Sequence, residues 1–281
     1  MSIVVRSMKE TDLEFAMELA NQEDWDYDLK DITRLRSLFP SGCFVAEYMG
    51  ARVGWVVACT YVSLAWVSSL VVRDDLRGKG IGAALVDRLV EYAHGFGIRT
   101  VGLYSYRDTV GFYERMGFRQ DCEFEHLEGS SRGTNNTTVS QHVTDLKQVT
   151  EFDREYFHGN RESLLKLLHQ EYPDLLLKSQ GAHMSGYIAG KMFSDNSAEI
   201  GPWVCYPTRT LVAEQLFASE LGQLRSSKIG ITIPSGNSNA HRIVEKHGFK
   251  VEHRILRMFQ GNAEDLPSIK GIYATAGLDV G

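Results

Sequence analysis

Leu70-Val71-Val72-Arg73-Asp74-Asp75-Leu76-Arg77-Gly78-Lys79-Gly80-Ile81-Gly82-Ala83-Ala84-Leu85 is the stretch that decides the fold. It runs from an apolar strand, through a short charged turn, into a glycine-rich loop that opens a helix. The first turn of a helix carries unpaired backbone N–H groups and a partial positive charge, so it attracts anions. Gly78, Gly80 and Gly82 leave the peptide bare enough for a phosphate to approach closely. Arg77 and Lys79 add positive charge beside it. The pattern reads as a seat for a pyrophosphate. The plainer alternative is an ordinary glycine-rich strand–helix turn.

Two phosphate loops fail here. A Walker loop ends in Gly-Lys-Ser/Thr, which is absent. A dinucleotide fingerprint is met superficially by Gly78, Gly80 and Ala83, but that turn follows its strand directly, and here Arg73 to Arg77 intervene. It also requires an acid at the end of the next strand, where Tyr104-Ser105 stands. The run instead resembles the Arg-x-x-Gly-x-Gly/Ala loop of GNAT-type N-acetyltransferases, with Arg77, Gly80 and Gly82 as its fixed members. A second stretch, Tyr106 to Phe118, resembles the same family's Asn-x-x-Ala-x-x-Phe-Tyr-x-x-x-Gly-Phe helix. Phe112-Tyr113 and Gly117-Phe118 match; Tyr106 and Thr109 replace the Asn and the Ala.

The elements around the loop come in the order this resemblance implies. Ile3-Val4-Val5 reads as a strand. A helix starts at Thr11-Asp12, and a second runs through Leu35 and Leu38 to Pro40. Strands follow at Cys43 to Tyr48, Arg52 to Ala58 and Ala65 to Val72, with Met49-Gly50-Ala51 as a turn. Ala83 to Ala93 keeps Leu85, Leu89 and Ala93 on one buried helical face. Arg99 to Tyr104 is a strand parallel to the one before the loop. Phe118, Cys122 and Phe124 alternate on a closing strand.

The resemblance implies a coenzyme site for acetyl-CoA. It gives Leu70, Val71 and Val72 peptide contacts with the pantetheine arm, and Arg77, Gly78, Lys79, Gly80, Ile81, Gly82 and Ala83 the pyrophosphate. It also places Tyr104 and Phe112 beside the coenzyme. Tyr113 takes the place of a family Tyr near the coenzyme sulfur and is expected to act as general acid, since a phenol is protonated at neutral pH. A backbone N–H at Leu70 or Val72 is the expected oxyanion donor. No base stands out, because Ser68 and Ser69 occupy the place where the family often offers a Glu. A water chain to Asp24, Asp26 or Asp28 is one route. Asp24, Trp25, Asp26 and Tyr27 lie where the family receives its acceptor. They read either as a solvated acidic cap or as acids and aromatics that draw a cationic amine.

The second half repeats the first. Gly248-Phe249 follows Gly117-Phe118 at an offset of 131, and Val212 and Leu216 then fall on Ile81 and Leu85. The coenzyme glycines do not recur: Leu211 replaces Gly80, and Val244 replaces Tyr113. The second unit is expected to fold like the first, bind no coenzyme, and cover the acceptor site. Ile272 to Leu278 is expected to pack back at the interface of the units. The arrangement resembles the two-domain YitH-like acetyltransferases.

The expected fold is therefore α/β: two tandem GNAT-like units, each a mixed, mostly antiparallel sheet with helices on both faces. The boundaries are a catalytic unit at 1–128, a polar linker at 129–138 and a degenerate unit at 139–281. The 281 residues, 43% hydrophobic and with a net charge of -6, suit a globular protein and argue against nucleic acid as a partner. Cys43, Cys59, Cys122 and Cys205 show no paired spacing, and no apolar run suits a signal peptide or a membrane span. A cytoplasmic monomer is expected. The nine histidines form no metal-binding pattern. The implied activity is transfer of an acetyl group to a primary amine of a small molecule by direct attack. A protein lysine or N-terminal acceptor, and a non-catalytic acyl-CoA sensor, are the alternatives.

Overall fold

The computed structural model describes residues 2–23, 25, 27–131, 140–181 and 183–281. The first half runs β1 (Ile3–Ser7), α1 (Leu13–Asn21), α2 (Leu29–Leu38), β2 (Cys43–Tyr48), β3 (Ala51–Thr60), β4 (Leu64–Val72), α3 (Ile81–Gly95), β5 (Thr100–Ser105), α4 (Val110–Arg115) and β6 (Arg119–Gly129). The second half repeats it as β7 (Ser140–His142), α5 (Leu146–Phe157), α6 (Glu162–Glu171), β8 (Leu176–Ser179), β9 (Gly186–Met192), β10 (Ala198–Cys205), α7 (Thr210–Gln223), β11 (Ile229–Pro234), α8 (Ser238–Lys246) and β12 (Lys250–Gln260). A short β13 (Ile272–Ala274) follows. The local signals explain the breaks. The Asp28 side chain accepts from the Asp31 amide at 3.0 Å and caps α2. Gly117 and Gly248, each in the left-handed region, stop α4 and α8 at the repeated Gly-Phe pair.

The two halves share one sheet, in the order β1-β2-β3-β4-β5-β12-β6-β11-β10-β9-β8-β7. This corrects the expectation that Phe118 to Phe124 closes the first unit's own sheet. β6 crosses to the second half and pairs antiparallel with β11, Leu127 opposite Ile231. β12 crosses the other way and pairs antiparallel with β5, Leu256 opposite Ser105. The two exchanged strands lie side by side, Ile255 opposite Phe124. The expected linker at 129–138 lies mostly outside the described residues, and Gly129 is the last residue of β6.

The exchange gives the sheet two different faces. On one, α1, α2, α5 and α6 bury a single core that includes Leu19, Leu35, Phe157 and Leu165 and crosses from one half to the other. On the other, α3 and α4 cover Leu85, Leu89 and Leu103, while α7 and α8 cover Leu216, Phe217 and Ile243 as a separate core.

Both halves contain a pair of parallel strands that part. β4 and β5 pair from Leu64 and Thr100 to Trp66 and Gly102 and then diverge. β10 and β11 pair from Ala198 and Ile229 to Ile200 and Ile231 and then diverge as well. The second gap is filled by β13. Ala274 lies opposite Trp203 of β10, and the Thr275 amide donates to the Thr232 carbonyl of β11 at 3.0 Å. This corrects the expectation for Ile272 to Leu278: the strand is limited to Ile272–Ala274 and lies in the second half's own gap, rather than at the interface of the units.

The segment after β13 returns to the shared core and is anchored there. Tyr61 donates to the Val280 carbonyl at 2.6 Å, and Arg161 donates to the Gly281 carbonyl at 2.9 Å. Arg161 is itself buried and pairs with Asp153 at 2.5 Å, each side chain about 1% exposed. Tyr187 donates to the same carboxylate at 2.5 Å. Removing one partner of a buried pair strands the other charge in low dielectric. Asp153→Asn is expected to lower unfolding free energy by about 3–5 kcal/mol. The double variant Asp153→Leu with Arg161→Met is expected to lose less. Urea unfolding of both checks this, and equal losses would contradict it.

Candidate active site

The glycine loop sits where the sequence places it. β4 ends at Val72, a short turn spans Asp74–Leu76, and Gly80 precedes α3 with φ +82°. Gly78 has φ +77°, so both positions need a residue without a Cβ penalty. The first intrahelical bond comes from the Ala84 amide to the Gly80 carbonyl, at 3.0 Å. The amides just before it, through Ile81, Gly82 and Ala83, face the anion position of a helix start. Gly78, Lys79 and Gly80 are exposed. Lys79 extends over the Tyr48 ring at 5.9 Å.

Arg77 departs from its expected role as a free positive charge. Its guanidinium bonds the Val72 carbonyl at 3.2 Å and pairs with Asp74 at 2.7 Å and with Glu23. Two carboxylates offset its charge, and it braces the turn between β4 and α1. Phe112 backs the loop: a methyl group on Gly82 would stand 3.4 Å from Phe112 Cζ. Tyr113 lies one residue further into the α3–α4 core, 9% exposed, with its ring between Phe112 and Phe118. Burial pushes its phenol up, so it holds its proton at neutral pH.

At the parting of β4 and β5, Ser69 takes φ +51° and kinks β4. The register slips at this point, between the Trp55–Val71 and Val57–Ser68 pairs. Leu70 is partly exposed beside the gap, whereas Val71 and Val72 turn into the cores on opposite faces. Tyr104 faces the shared core side, with its ring 4.8 Å from Trp66 and 4.9 Å from Phe124. It therefore lies across the gap from α3, against the acceptor side.

On that side the Trp25 and Tyr27 rings lie 5.8 Å apart, tilted by 57°, and the Tyr27 hydroxyl is 3.3 Å from Ser69 Oγ. Ser68 Oγ lies 3.1 Å from Ser69 Oγ. Asp24 and Asp26 fall outside the described residues. Asp28 is occupied as the cap of α2, which accounts for its carboxylate without a role in proton transfer. The sequence reading missed a second set of charges here: Asp31, Lys191, Glu199 and Asp279. Lys191 and Glu199 face each other across the β9–β10 pair, whereas Asp31 and Asp279 come from distant parts of the chain, and no motif links them. Lys191 pairs with Glu199 at 2.7 Å. Among the described residues, no group of three or more His, Cys, Asp or Glu side chains could hold a metal ion. Among them, too, no helix is long and apolar enough to cross a membrane.

Comparison with known proteins agrees with this geometry. The model of the acetyltransferase (GNAT) family matches residues 6–118, and that of the acetyltransferase (GNAT) domain matches residues 149–274. An uncharacterized N-acetyltransferase of Methanocaldococcus jannaschii is 36% identical over 89 residues, which is 28% of this chain and 39% of that protein. The chloroplastic serotonin N-acetyltransferase 2 of rice is 39% identical over 57 residues, 20% of this chain and 28% of that one. The chain thus spans less than half the length of either relative. A solved structure from Pyrococcus horikoshii, assigned as an acetyltransferase, superposes with a TM-score of 0.86 at 19% identity, covering 99% of this chain and 96% of that one. With one family model over each half, the chain belongs to the GNAT acetyltransferases and carries the domain twice.

Proposed function

We propose that residues 1–128 form the catalytic unit, and that it acetylates a primary amine of a small molecule from acetyl-CoA. Residues 139–281 form a unit that binds no coenzyme and closes the acceptor side. The observation that carries this reading is the difference between the two gaps. β4 and β5 part beside a bare glycine loop, whereas the matching space between β10 and β11 is occupied by β13. In the second half the helix α7 already spans Leu211, so the loop that would hold a phosphate has become helix.

The pyrophosphate binds the amides from Gly78 to Ala83, with Lys79 beside it and Arg77 bracing the turn. The pantetheine arm lies along Leu70–Val72, with Phe112 at the loop and Tyr104 on the far wall. The amine enters past Trp25 and Tyr27, loses a proton and attacks the thioester carbonyl. A backbone N–H near the Ser69 kink stabilises the oxyanion. The C–S bond then breaks, and Tyr113 gives its proton to the thiolate. The acceptor side is flanked by α2, by β9 and β10, and by the anchored residues 276–281. The rice relative's named substrate, serotonin, is also a small amine.

Thiol release with a panel of polyamines, amino acids and amino sugars tests the activity, and no release with any of them would leave only a coenzyme-binding protein. Calorimetric titration with acetyl-CoA is expected to give one site per chain; two sites would refute the filled-gap argument. Gly80→Asp is expected to abolish that signal by placing a side chain and a negative charge at the phosphate. Tyr113→Phe is expected to lower turnover by roughly 10²–10⁴ while coenzyme affinity holds. Unchanged turnover would remove Tyr113 from the mechanism.

A further inference from the structure

The Ser69 kink has no carboxylate from its own strand, since Ser68 and Ser69 occupy it. Three carboxylates reach the acceptor side from elsewhere: Asp31 on α2, Glu199 on β10, and Asp279 in the segment after β13. Two of them are committed. Asp31 accepts from the Asp28 amide at 3.0 Å and from Arg34 at 2.9 Å. Glu199 holds Lys191. Among the described residues, Asp279 alone of the three has no side-chain donor within hydrogen-bond distance.

Asp279 is also placed at the kink. Its backbone carbonyl accepts from Cys59 Sγ of β3, the strand that pairs with β4 at the kink, at 3.5 Å. Burial raises the proton affinity of the Tyr27 hydroxyl, and the nearby charges of Asp279, Asp31 and Glu199 add to it; that hydroxyl lies 3.3 Å from Ser69 Oγ. A methyl group on Gly277 would stand 2.6 Å from Asp279 Oδ1, 3.3 Å from Lys191 Nζ and 3.7 Å from Glu199 Oε2. The backbone around Asp279 is fixed. The Gly281 amide donates to the Gly277 carbonyl at 3.2 Å, the Ala276 amide to the Gly281 carbonyl at 3.2 Å, and Tyr61 and Arg161 hold Val280 and Gly281. Residues 276, 277, 280 and 281 are buried, whereas Asp279 is partly exposed. A rigid loop thus presents its single charged residue to the cleft.

We propose that Asp279, supplied by the second half of the chain, is the proton acceptor for the amine in the first half's reaction. The proposal rests on the amine reading given above. The acceptor's N–H bond breaks and its proton passes to the Asp279 carboxylate. The freed lone pair forms the C–N bond at the thioester carbon. The C–S bond breaks, the thiolate takes the Tyr113 proton, and the phenolate recovers one from the adduct's nitrogen. Asp279 releases its proton to solvent. Burial, together with the neighbouring Glu199 and Asp31, raises this carboxylate's proton affinity, and Lys191 opposes them. Among the described residues, Tyr27, Cys59 and Tyr61 are further titratable groups that its charge reaches. Such a shift suits a base that must compete for an alkylammonium proton.

Asp279→Asn keeps the size and removes the charge. With saturating acetyl-CoA and the fastest amine of the panel, turnover at pH 7 is expected to fall by roughly 10²–10⁴. The deficit should narrow as pH rises toward the ordinary amine pKa of about 10.4, where solvent supplies neutral amine. Asp279→Glu should recover part of the rate, and calorimetry should still find one coenzyme site in both variants. Wild-type turnover in Asp279→Asn, or a deficit that stays constant with pH, overturns the proposal. Loss of coenzyme binding along with turnover overturns it too, since the residue is then structural. A wild-type protein silent with every amine defeats the amine reading itself, and this proposal falls with it.

Discussion

The insertion of β12 between β5 and β6 constrains the whole molecule. Backbone N–H and C=O groups in a sheet interior must be paired. In this chain β5 takes its partner from the far half, and β11 takes its own from the near half. Neither half presents a complete sheet without the other's strand. The antiparallel β6–β12 pair at the centre relates the halves by an approximate twofold axis. That relation puts α1, α2, α5 and α6 on one face and fuses their cores. Closure over the acceptor side is then a consequence of the strand exchange and needs no separate interface.

The same near-symmetry makes the asymmetry of function easy to locate. Two parting strand pairs expose two sets of peptide groups. Those of β10 and β11 are satisfied by the chain's own β13. At the parting of β4 and β5, among the described residues, no third strand fills the gap. Filling one gap also routes the chain. Having passed between β10 and β11, the segment emerges into the shared core, where the buried Arg161–Asp153 pair fixes its end. The strand that fills the β10–β11 gap thereby leads the chain to Asp279, whose carbonyl accepts from Cys59 of β3.

Much of the fold was legible because its signals are local. Met49-Gly50, Gly80 and Gly117 each take a left-handed backbone that few residues accept, and the turn and the two helix ends fall at or within a few residues of where they point. The strand exchange was not legible. Alternation of Phe118, Cys122 and Phe124 fixes which face each side chain takes, but it says nothing about which strand lies alongside. At the site, the left-handed backbone of Gly78 and Gly80 could be read because both glycines fall in one short run before a helix. Arg77 misled, since its partners Glu23 and Asp74 offset the charge that the motif advertises. Lys191 and Glu199 meet as a cross-strand pair of β9 and β10, but their approach to Asp31 and Asp279 gave no signal, because it exists only in the folded chain.

Electrostatics of the cleft follow from these crossings. Asp31, Glu199 and Asp279 outnumber Lys191 around the Tyr27 hydroxyl, so the local field favours a cation even though Arg34 and Lys191 are present. Exposed ion pairs elsewhere on the surface are worth little. Here the groups are partly withdrawn from water, where interactions at an effective dielectric near 20 are several times stronger. A protonated amine drawn into this field meets a difficulty: the attraction that binds it also stabilises its unreactive form. The conflict is relieved if one of the attracting carboxylates accepts the proton. Ammonium and carboxylate then neutralise each other at the kink, and the neutral amine is left beside the thioester. Glu199 and Asp31 cannot serve as readily, since taking the proton would cost each of them an existing bond to a cation. The carboxylate without such a bond is the one that can change charge without dismantling the wall of the cleft.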